Sequence, residues 1–435
     1  MEKTEVTTAA EATRPCPECG SAVPLTERYV DWCAECGWNV DPAAPDPAPG
    51  RLAAARRRLL RELGEQLASE VEEAAAGGAR PARDAATVLA FGLALLVHAV
   101  TLLLVVGGLA LVLLGWDTGV QPVIGALLLG LAAALRPRPA RLPKDGQVLH
   151  RADAPRLFEL VDEVAGAVGT TGVHTVLVNA EYNASVTTYG VRRRRVLAIG
   201  LPFWEVLTPQ ERVALLGHEL GHFAHGDIRY GRITGGALHA LAVWHYVLAP
   251  TPAERLLDRF VNAVTFLPRW VAYGLLLLLD RLTLRASQRA EYLADASAAR
   301  AASPGAAVGL MDRLLVGDAV EAELRRQSVV ARMGGGRTGR EVREAAEAGL
   351  WERLAARVAD VPEREYERLR RVSALRGHSV DHTHPPTHAR RRHMAAGAPV
   401  AALVSCDDAR AAAVAAELSP ARAALARLVI REYAG

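Results

Sequence analysis

The chain has 435 residues, of which 51% are hydrophobic but only 5% aromatic, and its mean hydropathy is +0.11. So large a share of Ala, Leu and Val is more than a soluble core needs and points to membrane helices. A net charge of +3 is too small to support a nucleic-acid partner, and none is expected.

Met1 to Arg14 is small and polar and lacks the basic-then-apolar order of a secretory signal. Residues 1–14 are therefore read as a disordered tail that stays in the cytoplasm. Cys16-Pro17-Glu18-Cys19-Gly20 and Cys33-Ala34-Glu35-Cys36-Gly37 follow as two Cys-x-x-Cys-Gly knuckles within 15–40. Four thiolates at this spacing fit a tetrahedral zinc, with glycines that let backbone amides turn toward the sulfurs. The module resembles a zinc ribbon, and it is too small to fold without its metal, so this zinc is structural. Two disulfides are the alternative, disfavoured by a cytoplasmic location. The residues do not say what the ribbon binds. Cys406 is left over as a buried small hydrophobe.

Residues 41–83 read as a Pro/Ala linker followed by an amphipathic helix over 51–76, a spacer or a helix on the membrane surface. From Ala85 to Trp116 there is no charged residue, and after a short turn the run Thr118 to Leu135 is apolar as well. The first run exceeds the ~20 residues that cross a bilayer, so 84–136 is predicted to be a transmembrane hairpin. Arg80 and Arg83 precede it and Arg136, Arg138, Arg141 and Lys144 follow, which places both ends in the cytoplasm. His98 is read as a neutral histidine in a helix interface.

A soluble segment is expected to begin after Lys144, within a domain that runs from 144 to 410. A helix is predicted over Ala154 to Val168, then strands at Thr175–Val178, Tyr182–Val186 and Val196–Gly200, a small sheet able to hold an extended substrate by backbone pairing. Thr208-Pro209-Gln210-Glu211 has the form of a capping box and opens a helix that carries His218-Glu219-Leu220-Gly221-His222. Histidines four apart share a helix face and can hold a zinc ion, while Glu219 is placed to take a proton from the attacking water. This is the arrangement of a zinc peptidase; residue frequencies give such a match by chance in roughly 0.04 of chains of this composition. His225 is read as a surface or supporting residue, because Gly226 ends the helix.

Ile233 to Ala249, apart from His239 and His245, and Val264 to Leu279, apart from Arg269, are apolar and read as a second hairpin at about 233–280, spanning, interfacial or buried in protein, again with arginines at its ends. Just beyond, Glu291 and Asp295 lie four apart on one helix face. Glu291 completes a His-His-Glu zinc set, and Asp295 accepts the second N–H of a ligand histidine. Glu321 to Arg371 is a charged helical region with a loop at Gly334-Gly335-Gly336, and the end of the chain, 411–435, reads as helix, with a break at Ser419-Pro420.

The chain resembles the membrane metallopeptidases that include HtpX and the CAAX prenyl endopeptidases, zinc enzymes of the gluzincin type. The likeness rests on His218 to His222, Ser287 to Asp295, Asn183-Ala184, and Thr383-His384-Pro385-Pro386 with Arg390 behind it, and covers roughly Arg151 to Met394. It implies that His218, His222 and Glu291 bind the catalytic zinc, that Glu219 is the acid/base and that Asp295 supports a ligand. It further implies that Asn183 and Ala184 line the substrate strand, and that His384 and Arg390 help hold substrate or the oxyanion. An N-terminal ribbon is not usual in HtpX proteins, and His378, His382, His388 and His393 are read as solvated loop histidines. The expectation is a mainly α, multi-pass membrane protein with an α+β metallopeptidase domain, one catalytic and one structural zinc, and protein substrates cleaved at the cytoplasmic face of the cell membrane. The alternatives are a catalytically silent membrane-anchored adaptor and a CAAX-type prenyl-protein protease.

Overall fold

The computed structural model describes residues 12–26, 28–42, 66, 70, 85–116, 119–135, 142, 146–190, 192–333, 336–376 and 385–432. The linker from 43 onward, nearly all of the 51–76 helix, the turn at 117–118, Gly334, Gly335, His378, His382 and His384 lie outside the described residues.

Strands β1 (Thr13–Pro15) and β2 (Ala22–Pro24) pair antiparallel, with Thr13 opposite Pro24. Thr13 and Arg14 thus belong to the ribbon and not to a tail, because β2 satisfies their backbone groups. Helices α1 (Ala85–Leu114) and α2 (Val120–Leu135) form the expected hairpin. Their approach is set by two glycines: a Cβ added at Gly108 would lie 2.9 Å from the Gly125 carbonyl, and one at Gly125 2.6 Å from that of Gly108.

The sheet has the order β3 (Gln147–Leu149), β4 (Thr175–Asn179), β6 (Arg194–Gly200), β5 (Ala184–Tyr189), with β4 and β6 parallel and the outer pairs antiparallel. Three strands were predicted; β3 is too short to leave a pattern in the sequence. Leu157, Phe158, Val161 and Val164 of α3 (Pro155–Val168) share one core with Leu197 and Ile199 of β6 and Val213, Leu216 and Leu220 of α5 (Pro209–Ala224), and α4 (Leu201–Val206) joins sheet to helix.

Helices α6 (Asp227–Val247) and α7 (Leu256–Ala302) follow one another over the stretch read as a second hairpin and pack together, with α7 longer than the apolar run. The apolar run does not stop near Leu279 but continues as one 47-residue helix, because no Gly or Pro interrupts the chain from Leu275 to Ala302 and Pro304 then ends it. Among the described residues α1 and α7 are long and apolar enough to cross a membrane, and Val120–Ala133 of α2 is a shorter apolar stretch. α6 carries Asp227, Arg229 and Arg232 in its first turns, and its Ala237, Ala240 and Leu241 are spent packing against Ala90, Ala94 and Val97 of α1 and Ala272 and Leu279 of α7. In this bundle His98 Nε2 lies 2.9 Å from the Ile233 carbonyl, the helix-interface role expected of it.

Helices α8 (Pro304–Leu315), α9 (Gly317–Met333), α10 (Gly336–Ala348), α11 (Leu350–Ala359), α12 (Glu363–Arg376), α13 (Thr387–Ala395) and α14 (Asp408–Glu432) complete the domain. α14 runs through Pro420 without the expected break. Its Leu418, Ala421, Leu425 and Val429 are buried in the main core, and that burial offsets the backbone bond lost at proline.

The contact between α5 and α7 positions everything that follows. A Cβ at Gly217 would lie 3.0 Å from Ala298 Cα, and one at Gly221 3.0 Å from Ser297 Cβ and 3.2 Å from Ala294 Cα. The absence of side chains at both positions lets the two backbones meet. Gly221→Val is expected to lower stability by about 1–3 kcal/mol and to release bound metal, which thermal unfolding and metal analysis of the detergent-solubilised protein will measure.

Candidate active site

Thr208 caps α5: its hydroxyl accepts from Glu211 N at 3.3 Å, and Glu211 Oε2 accepts from Thr208 N at 2.8 Å, with Pro209 at the first helical position. Nearly three turns on, His218 and His222 stand on one face with ring centroids 5.0 Å apart. The helix ends at Ala224, and Gly226 turns the chain at φ 79° into α6. His225, just past the end, has Nε2 at 3.0 Å from Ser297 Oγ and is not part of the cluster.

From α7, Glu291 reaches both histidines, with Oε2 3.5 Å from His218 Nε2 and Oε1 3.6 Å from His222 Nε2. One donor atom from each of the three residues lies within 4.8 Å of the others. Ligands about 2.0–2.1 Å from a tetrahedral zinc lie about 3.4 Å apart, so the set is spaced for that ion. The opposite ring nitrogens are held by carboxylates: His218 Nδ1 lies 3.0 Å from Asp295 Oδ1 and His222 Nδ1 3.3 Å from Asp227 Oδ2. Each imidazole therefore keeps its Nε2 lone pair for a metal.

Asp295 is fully buried and is gripped by Arg390, whose Nε donates to Oδ2 at 2.8 Å and Nη2 to Oδ1 at 2.7 Å. Burial works to raise the Asp295 pKa, but the Arg390 charge and the hydrogen bonds from Arg390 and His218 outweigh it and hold the carboxylate well below its usual range. Burial likewise works to lower His218, while Asp295 and Glu291 lift it to about 10. A metal at Nε2 must displace that proton, so binding is coupled to proton release. Arg390 lines the cleft beside His218 and Glu219, and with its guanidinium bonded to Asp295 and its Nη1 3.5 Å from Glu291 Oε2 it also anchors the ligand framework.

A narrow cleft of about 30 Å³ opens at this cluster, lined by His218, Glu219 and Arg390 on one side, by Asn183 and Ala184, and by Phe203, Leu310 and Met311 among its apolar residues. Glu219 is 6% exposed, so its carboxylate faces the cleft and not bulk water. Ala184 opens β5, the edge strand, and Asn183 just precedes it, its carbonyl accepting from Gly200 N at 2.8 Å. His384 lies outside the described residues. His388 and His393 sit on α13 and not in a loop, and the His393 ring meets that of Tyr292 edge-on at 5.4 Å.

Asp227 was not anticipated. The signal was present in Gly226-Asp227: a helix stop followed at once by an acid folds that acid back beside the last turn. Asp312 had no sequence signal. It takes Arg370 Nε and Nη2 at 2.9 and 2.6 Å and Arg391 Nε at 2.8 Å, and so ties α12 and α13 to α8 beside the cleft.

In the ribbon, the four sulfurs lie within 4.8 Å of one another, with Cys16 to Cys36 at 3.6 Å and Cys19 to Cys33 at 3.5 Å, and none is in a disulfide. Sulfurs about 2.3 Å from a tetrahedral zinc lie about 3.8 Å apart, which suits this cluster. Gly20 N and Gly37 N close the two knuckles onto Cys16 O and Cys33 O at 2.9 and 3.0 Å, both glycines in the left-handed region.

The profile of Peptidase family M48 matches residues 152–397. The chain belongs to Peptidase family M48. It is an HtpX-like member with a zinc-ribbon-like cysteine cluster before the family domain. It is 27% identical over 173 residues to Protease HtpX of Pseudomonas putida (strain W619), covering 37% of this chain and 56% of that one. It is 35% identical over 80 residues to Protease HtpX homolog 1 of Sulfurisphaera tokodaii, covering 18% and 25%. The chain thus spans about half the length, or less, of these curated relatives. No solved structure matches it significantly. Asp227→Asn is expected to weaken zinc binding about 10- to 100-fold while the fold is retained, as read by competition with a chromogenic chelator.

Proposed function

We propose that the protein is a membrane-embedded zinc endopeptidase that cleaves membrane or membrane-proximal proteins on the cytoplasmic side, in quality control or processing. The observation that carries this reading is the convergence of His218, His222 and Glu291 at a cleft that also exposes Glu219. Those three residues would hold the zinc, and Cys16, Cys19, Cys33 and Cys36 a second, structural one. Bound at the cleft, zinc supplies a Lewis acid that polarises the scissile carbonyl and acidifies the attacking water.

The chain's own residues account for the rest. Glu219 takes the water proton on its carboxylate and returns it to the leaving amide nitrogen. Asp295 and Asp227 keep the two imidazoles oriented, and Arg390 keeps Asp295 ionised inside a dry core. The outer edge of β5, next to Asn183 and Ala184, offers unpaired backbone groups to an extended substrate, whose side chain enters between Phe203, Leu310 and Met311. Glu219→Gln is expected to keep the metal and to lower peptide cleavage by at least 10³-fold, on the order expected for loss of the acid/base. Cleavage of a model membrane substrate by wild type and variant checks it, and full activity in the variant rejects the mechanism.

The membrane setting is supported by apolar side chains that face outward on both long helices: Leu103 and Leu113 on α1 are each 69% exposed, and Leu267 on α7 is 68% exposed. Surfaces of that kind are stable against lipid and costly against water. Glu291 follows Leu279 along one helix by about 18 Å at 1.5 Å per residue, a spacing that supports a site outside the hydrocarbon. The flanking arginines favour a cytoplasmic N-terminus and catalytic domain. The protein should stay with the membrane after an alkaline carbonate wash, and release into the supernatant would remove the membrane part of this reading.

A further inference from the structure

Arg192, Arg193, Arg194 and Arg195 follow one another at the turn of the β5–β6 hairpin, and they are not used alike. Arg195 is spent inside the fold: its Nη1 donates to Thr171 O at 2.6 Å and to Thr170 Oγ1 at 3.0 Å, and its guanidinium lies 4.4 Å from the Phe223 ring centroid. Arg192, Arg193 and Arg194 are exposed, and no side chain of the three makes a hydrogen bond, ion pair or ring contact among the described residues. The turn itself does not ask for them. Arg193 sits at φ 53°, in the left-handed region that glycine or asparagine fills at less cost, with its N–H donating to Gly190 O at 3.2 Å. Three adjacent like charges add their own repulsion. A backbone position filled against its preference, by charge that nothing among the described residues neutralises, points to a partner outside the chain.

Two lines of geometry put this tip on the side of the apolar helices. Along the seam with α7, Gly217 meets Ala298 and Ala301, Gly221 meets Ala294 and Ser297, and His222 meets Glu291, so α5 advances as α7 is followed back toward its apolar half. The hairpin advances the same way: Ala184, opposite Ile199, borders the cleft with His218, whereas Arg195 reaches Phe223, and the tip lies beyond Arg195. Just past Phe223 the chain turns at Gly226 into α6, which packs on α1 and α7. We propose that Arg192, Arg193 and Arg194 dock on the anionic phospholipid headgroups of the cytoplasmic leaflet, their guanidiniums pairing with phosphate oxygens. The inference rests on the proposed membrane setting and not on catalysis. Because the tip and Ala184 stand at opposite ends of β5, the contact holds the substrate edge of that strand at a fixed height over the bilayer.

The test uses the full chain in lipid nanodiscs, made of phosphatidylcholine alone or with about one-third phosphatidylglycerol, and reads amide hydrogen exchange over residues 189–195. The expected result is exchange slowed about tenfold or more by phosphatidylglycerol, since each arginine near an anionic surface contributes about fivefold to the docking equilibrium. The slowing should vanish in about 0.5 M NaCl, where exposed charges are screened, and in the triple variant Arg192→Gln, Arg193→Gln, Arg194→Gln, while exchange over α5 stays the same. Equal exchange in the two lipids overturns the proposal, and so does slowing that survives in the triple variant, because the bilayer then meets another part of the hairpin. Poly-glutamate that slows exchange in phosphatidylcholine discs, where phosphatidylglycerol does not, assigns the tip to acidic protein segments and overturns it as well. A chain that fails to enter the discs removes the membrane setting and the proposal with it, whereas entry with no effect of phosphatidylglycerol removes the proposal alone.

Discussion

Glu291 can serve the histidine pair only because two helices approach closely over bare backbone. Gly217 and Gly221 on α5 face Ala294, Ser297, Ala298 and Ala301 on α7, and this small-residue seam brings the carboxylate to within 3.6 Å of both imidazoles. The glycine inside His-Glu-Leu-Gly-His thus does as much for the site as its ionisable neighbours. Even a Cβ there would make its neighbours on α7 give by a few tenths of an ångström, and a larger side chain by more. Asp295, one turn beyond Glu291, uses the same seam to reach His218, and Arg390 from α13 closes the set.

Much of this was legible in the sequence because it is local. The capping box at Thr208, the face shared by His218 and His222, and the face shared by Glu291 and Asp295 are consequences of helical periodicity that need no tertiary knowledge. The knuckles at Cys16 and Cys33 were legible for the same reason. What was not legible depends on long-range packing. Arg390 could be expected near the cleft, but that it would be spent on Asp295 follows from how α13 docks. Asp312 gathers arginines from two other helices and has no neighbour in sequence to betray it. The continuity of α7 was not legible because hydropathy falls at Asp280 and Arg281, although nothing in the backbone chemistry stops the helix there. Pro420 was given too much weight as a breaker for the opposite reason: burial on both sides holds α14 together.

One long helix, part apolar and part ligand-bearing, unites the membrane reading with the metal site. In the proposed setting α7 anchors the protein at one end and supplies Glu291 and Asp295 at the other, so the distance from lipid to metal is set by helix rise and not by a loop. Such a rigid link favours substrates presented close to the bilayer surface. The ribbon sits on the far side of α12, and through Arg370, Asp312 and Arg391 that helix is bonded to the elements that carry the cleft.

The proposed function rests on two metal sites of different chemistry, one of thiolates and one of two imidazoles and a carboxylate. Zinc-edge X-ray absorption on the purified full chain measures this directly. The expected result is about two zinc ions per chain, with a sulfur shell near 2.3 Å and a nitrogen/oxygen shell near 2.0–2.1 Å in comparable amounts, and loss of the second shell alone in His222→Ala. A spectrum with sulfur ligands only, in protein that cleaves peptide bonds, would contradict it.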